Sequence, residues 1–170
     1  MAKRFTYEFE WDPTKARDNV RKHRIAFARA ATIFLDPEAL SELDEEESGE
    51  EDRWITLGLD RTGVLLVVCH TYREETETSA RISVDFCAQG PLGMKRNIMR
   101  GNSTMKREYD FAKGVRGKFY RKGAELRLPI YLDAKLQEQV ERLAEKNGKD
   151  IGEMVNQLVR KEVELIEELS

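Results

Sequence analysis

The chain has 170 residues, 36% charged and 40% hydrophobic, with a formal net charge of −3. That length allows one domain or two small ones, and no apolar run approaches the roughly 20 residues of a membrane span, so no membrane segment and a cytoplasmic location are expected. Two cysteines, Cys69 and Cys87, are too few for a disulfide framework or a ligand cluster, and neither a metal nor a cofactor is expected.

In chain order, Tyr7–Trp11 alternates as a short strand. Asp12-Pro13 is a helix N-cap followed by proline at the first helical position, which predicts a helix to about His23. A second short helix fits Ala26–Phe34, with Phe27, Ala30, Ala31 and Phe34 on one face, and Asp36-Pro37 stops it. Residues 41–52 are acidic and read as an exposed loop. Trp54–Asp60 and Val64–Thr71 flank Arg61-Thr62-Gly63 as a hairpin whose second arm, apolar throughout, is the central strand. Thr76–Val84 is a further strand. Residues 1–85 thus read as an α+β domain, with helices on one face of an antiparallel sheet.

Residues 86–105 contain Gly90, Pro91, Gly93 and Gly101 and read as a linker. In 106–122, Tyr109, Phe111, Phe119 and Tyr120 stand among basic residues and glycines, which suits an arm folded onto a surface. The last part, 123–170, is a short alternating strand, a helix capped by Asp133, a turn at Asn147-Gly148, and a helix with Asp150 and Glu153 as a capping box. That is the layout of a ribbon-helix-helix DNA-binding domain. So small a unit buries too little surface alone, so a homodimer is expected.

In such a dimer Leu126, Leu128, Ile130 and Leu132 face the helices. Glu125, Arg127, Pro129 and Tyr131 face the DNA major groove. Arg127 is the candidate guanine reader and Tyr131 a second contact. Lys122 and Lys149 add charge, and the amides of Ile151 and Gly152, at a helix start, are candidates to hold a phosphate of operator DNA. Charge is distributed to match: residues 1–85 carry 12 Lys+Arg against 19 Asp+Glu, but residues 86–132 carry 11 against 3. A solvated basic linker gives the same count.

The first half resembles the BrnT family of bacterial toxins. The resemblance rests on Phe9-Glu10-Trp11-Asp12-Pro13, Lys15, Asn19, Lys22-His23, Phe27, Ala30, Ala31 and Phe34-Leu35-Asp36-Pro37. It continues through Glu51-Asp52-Arg53-Trp54, Gly58, Val67-Val68, His70-Thr71 and Arg73. It implies a RelE-like fold and metal-independent RNA cleavage, with Lys22, Arg73 and Arg81 as the cations that hold the scissile phosphate. Each of these also reads as an ordinary surface charge, and His23 and His70 are acid–base candidates or plain structural histidines. Arg24 departs from the family, which usually has glycine there.

The second half resembles the cognate BrnA antitoxin through Tyr109-Asp110-Phe111, Lys113-Gly114, Arg116-Gly117-Lys118-Phe119-Tyr120 and the ribbon-helix-helix pattern. The resemblance implies that the aromatic arm neutralises the toxin domain of its own chain or of the dimer mate. Where the family's toxin continues with a motif like Ile-Ser-Ala-Arg-Lys-Ala, this chain has Asp85-Phe86-Cys87-Ala88-Gln89-Gly90. One permitted set of codons turns the second into the first by a one-nucleotide shift. A toxin truncated at its C-terminus and fused to its antitoxin follows. Loss of the motif's arginine and of the packing beyond it implies weak or absent cleavage. Two functions are therefore expected in order: a DNA-binding autorepressor carrying a neutralised toxin, then a ribonuclease held inactive by its attached antitoxin.

Overall fold

The computed structural model describes residues 4–90 and 114–169. They form two compact units, 1–129 and 130–170. The first contains β1 (Thr6–Glu10), α1 (Pro13–His23), α2 (Phe27–Ala30) running into a 3-10 turn (Ala31–Leu35), β2 (Leu40–Leu43), β3 (Arg53–Leu59), β4 (Leu65–Thr76), β5 (Ser79–Gln89), β6 (Val115–Arg116) and β7 (Glu125–Arg127). The second contains α3 (Ala134–Lys146) and α4 (Ile151–Glu168).

Local chemistry sets the helix ends. The Asp12 carboxylate accepts from the amides of Thr14 and Lys15 at 2.7 and 2.8 Å, with Pro13 in the first turn. Arg24 closes α1 in the left-handed conformation, φ 62°. That backbone is why glycine suits the position and why an arginine is strained there.

The sheet has the order β6-β2-β3-β4-β5-β1-β7. It is mixed, not purely antiparallel as the alternation suggested, because β1 runs parallel to both β5 and β7. β4 is central, as its unbroken apolar run requires. Residues 41–52 are not all loop: Ser41–Leu43 lie in β2, paired with β3, and Asp44 is fully buried. The expected linker is shorter too. β5 continues through Phe86, Cys87, Ala88 and Gln89, which pair with Cys69, Val68, Val67 and Leu66. Cys87 is buried and bonded to Asn19, so these residues belong to the packed sheet. A bulge precedes them, since the register steps from His70↔Val84 to Cys69↔Phe86 and leaves Asp85 extra.

The core lies between the sheet and α1–α2: Tyr7, Phe9, Phe27, Ile33, Phe34, Leu66, Val68, Ile82 and Val84. Segment 115–127 completes it. β6 pairs antiparallel with β2, and Gly117 (φ 61°) donates its amide to the Ala39 carbonyl at 2.8 Å. Phe119 then drops into the core, 5% exposed, against Tyr72 (centroids 4.5 Å apart), His70 (5.2 Å), Trp54 (5.3 Å) and Phe34 (6.3 Å). The Tyr7 hydroxyl donates to its carbonyl. Beyond it, β7 pairs with β1 and Leu126 packs on the same core. One segment thus supplies both outermost strands.

Here the ribbon expectation changes. Glu125–Arg127 is the part of 123–132 that forms a strand, and its described partner is β1. Leu126 covers the sheet's core and not the helices, while Leu128 and Ile130 are exposed. Within the second unit the caps are as expected: Asp133 accepts from Leu136, and Asp150 from Gly152 and Glu153. Val140, Ala144 and Met154 are buried between α3 and α4, but Leu136, Leu143, Leu158, Val159, Val163 and Ile166 are exposed.

Truncating Phe119 to alanine is expected to destabilise the first unit by about 3–5 kcal/mol, read by denaturant unfolding, because a buried aromatic is removed and its cavity stays. Arg24→Gly is expected to raise stability by roughly 0.5–1 kcal/mol by relieving the left-handed strain; a lowered melting temperature would refute that.

Candidate functional site

The face of the sheet opposite α1 and α2 is buried and apolar at Ile55, Val67 and Cys69 and charged beyond them. Alternation along each strand puts Tyr7, Phe9, Ile82, Val84 and Tyr72 on the core face and Glu8, Glu10, Arg81 and Arg73 on the other. Register then aligns them. Arg73 lies opposite Arg81, Arg81 opposite Glu8, and Glu8 opposite Arg127, one row across β4, β5, β1 and β7.

Two arginines directly opposite on neighbouring strands repel unless something lies between them. Here Glu75 does. Its Oε1 is 2.9 Å from Arg81 Nε and 3.6 Å from Arg73 Nη2. Arg73 also meets Glu51 at 3.3 Å, and Arg81 meets Glu10 at 3.7 Å. Glu75 is the extra residue of a second bulge, where the register steps from Glu74↔Ala80 to Thr76↔Ser79. The sequence shows Arg73-x-Glu75 and Glu8-x-Glu10 at the strand period, but which strands are neighbours decides that they meet, and the carboxylates were not anticipated.

Of the three cations expected from the resemblance, Arg73 and Arg81 are therefore together. Lys22 is not with them. It is exposed in the last turn of α1, beside His23, whose ring packs on Phe86, five residues along β5 from Arg81. An extended strand covers roughly 16 Å in five residues. His23 has its pKa lowered by partial burial and by Lys22.

His70 is a core residue rather than an acid–base group. It is fully buried between the rings of Phe34 and Phe119. Its Nε2 is 2.8 Å from Thr56 Oγ1, which is 2.8 Å from Ser41 Oγ, and its Nδ1 is 3.3 Å from the Thr71 carbonyl. A neutral ring protonated at Nδ1 satisfies this chain. Burial holds its pKa down, at about 4.

The arm residues separate. Phe119 is in the core and Tyr120 lies beside it on the same segment, while Tyr109 and Phe111 lie outside the described residues. Lys118 stands over the Trp54 ring at 4.4 Å, and Arg121 over Phe5 at 5.5 Å and 3.7 Å from Glu74.

The DNA-reading candidates are dispersed or engaged. Arg127 meets Glu8 at 3.2 Å and Glu125 meets Arg4 at 2.9 Å, both on the sheet of the first unit. Lys122 is exposed just before β7. In the second unit Tyr131 is half exposed, Lys149 bonds Gln157, and Ile151 is partly exposed. The Gly152 amide is already taken by Asp150 at 2.7 Å, so the cap and not a phosphate satisfies it. Among the described residues no group of three or more His, Cys, Asp or Glu is placed to hold a metal ion, and no helix is long and apolar enough to cross a membrane.

Residues 11–84 match the family described as the ribonuclease toxin, BrnT, of type II toxin-antitoxin systems. The match takes in Lys22, Arg73 and Arg81 and ends one residue before the Asp85 bulge. It spans less than half of the chain and leaves out segment 115–127 and both C-terminal helices. The 1.1 Å crystal structure of the Brucella abortus ribonuclease toxin, BrnT, is similar to this chain at 15% identity and a TM-score of 0.34, covering 49% of this chain and 96% of that one. No curated protein matches the chain.

The neutral state of His70 sets a pH dependence for the BrnT-like domain. Unfolded, the ring protonates near pH 6.5; folded, not until about 4. The unfolded chain thus binds more protons between those values, so stability is full above about pH 6.5 and falls as pH drops towards 4. The loss is expected to be on the order of 3 kcal/mol across that window. Chemical denaturation at pH 7.5 and 4.5 measures it, and His70→Gln should flatten the profile.

Proposed function

We propose that the N-terminal unit is a BrnT-type ribonuclease domain restrained by the C-terminal part of its own chain. The observation that carries this is the pairing of Arg73 and Arg81, their side chains 58% and 37% exposed, in a domain matched to that family. Two adjacent guanidiniums can hold a phosphodiester and stabilise the charge that develops as a 2′-hydroxyl attacks it. Restraint is supported by segment 115–127, which binds both sheet edges and puts Phe119 into the core. A ribonuclease with a built-in restraint therefore suits the chain better than an autorepressor with a ruined toxin. The expected frame shift near Asp85, joining a truncated toxin to an antitoxin that begins near Met105, belongs to this reading. Sequencing the gene in the shifted frame tests the join; a frame that does not encode an Ile-Ser-Ala-Arg-Lys-Ala-like motif rejects it.

The DNA-binding autorepressor keeps one supporting observation. The capped helices α3 and α4 expose an apolar stripe from Leu136 to Ile166, as a protomer of an intertwined homodimer would. For Arg127 to read a base in such a dimer, it must give up Glu8, 3.2 Å away, and the second copy's strand must pair on the edge of β7 away from β1.

Incubating the purified full chain with single-stranded RNA decides between them. Cleavage that falls by roughly 10²-fold in Arg73→Ala or Arg81→Ala is expected. No cleavage above the level of those variants, together with a salt-sensitive promoter-DNA shift lost in Arg127→Ala, would give the function to the second reading.

A further inference from the structure

We propose that Glu75 is a built-in competitor for the anion site formed by Arg73 and Arg81, a carboxylate that occupies the place of an RNA phosphate until substrate displaces it. The choice of RNA as ligand rests on the ribonuclease reading above. The geometry is independent of it. A single oxygen, Glu75 Oε1, lies within ion-pair distance of both guanidiniums, the position in which one phosphate oxygen would bridge them. The bulge aims it there, and bulges commonly redirect a side chain beside a site.

Folding alone gives little reason for the arrangement. Exposed ion pairs add at most about 1 kcal/mol, and an Arg–Arg cross-strand pair is unfavourable without its counter-ion. Both arginines are reachable from solvent, their side chains 58% and 37% exposed, whereas Glu75 is 26% exposed. The remaining charges on the row complete the balance. Glu51 holds Arg73 from one side, Glu10 holds Arg81 from the other, and Glu8 engages Arg127. The face is thus self-neutralised, and a polyanion must exchange one carboxylate for a phosphate to bind. A doubly liganded phosphate satisfies two planar forks better than one shared carboxylate oxygen does.

The test is a fluorescence-anisotropy titration of a 2′-O-methyl RNA oligonucleotide, which cannot be cut at its 2′-position, against the full chain at several salt concentrations. Glu75→Gln is expected to bind about tenfold tighter than the native chain. Its salt dependence should steepen by about 0.7 in log–log slope, the contribution of one phosphate neutralised. Adding Arg73→Ala should abolish the gain. Unchanged affinity and slope in a Glu75→Gln protein that melts normally overturns the proposal, as does a gain that survives Arg73→Ala. If Glu75→Gln melts early, Glu75→Ala removes the same carboxylate and is judged alike. Unmodified RNA run in parallel separates the two ideas: tighter binding without cleavage keeps the competitor and rejects the ribonuclease, while cleavage with no effect of Glu75 does the reverse.

Discussion

The N-terminal unit depends on where the Phe119 ring sits. A sheet packed on one side by two short helices leaves the end near Trp54, His70 and Tyr72 uncovered, and that end includes a fully buried histidine with two polar partners. Water there would compete for every hydrogen bond in the Ser41–Thr56–His70 chain. Phe119 excludes it, and the Tyr7 hydroxyl fixes the backbone that carries the ring. The short strands on either side follow from that anchor. Once the ring is placed, Val115–Arg116 falls beside β2 and Glu125–Arg127 beside β1. The family-matched residues therefore reach their packed state with help from residues outside the match.

The same sheet keeps two faces for different purposes. One is apolar and sealed, so its ionisable groups are neutral or bonded: burial raises the Cys87 thiol to about 12 and lowers His70 to about 4. The other is apolar and buried at Ile55, Val67 and Cys69 and, towards the far end of β4, becomes a row of arginines and glutamates in contact with water. Polarity on that face is not needed to hold the strands together, since the backbone ladder and the core already do so. Its arginines are each paired with a carboxylate, so the row is neutralised from within.

Local structure was legible in the sequence because its causes are local. Asp12, Asp133 and Asp150 cap the helices they were expected to cap, and the apolar run Val64–Val68 marks the middle of the sheet. What was hidden depends on which strands become neighbours. Alternation gives Leu126 and Arg127 opposite faces but does not name their partner, and the pairing of this strand with β1 was not foreseen. Glu75 was missed for the same reason, since a bulge and a cross-strand neighbour define it. The acidic stretch misled through its average, as Ser41–Leu43 pair with β3 and Asp44 is buried despite the charges that follow.

The brevity of the outermost strands has a colloidal consequence. β4 and β5 are 12 and 11 residues long, but the sheet ends in strands of two and three residues that carry Arg116, Glu125 and Arg127. Short, charged margins discourage a neighbouring molecule from adding a strand. If segment 115–127 lifts away, β1 and β2 become bare margins at the same moment, and an aromatic pocket opens beside them. Self-association through those ladders would then become possible, so one stretch of backbone both completes the core and guards the margins of the sheet.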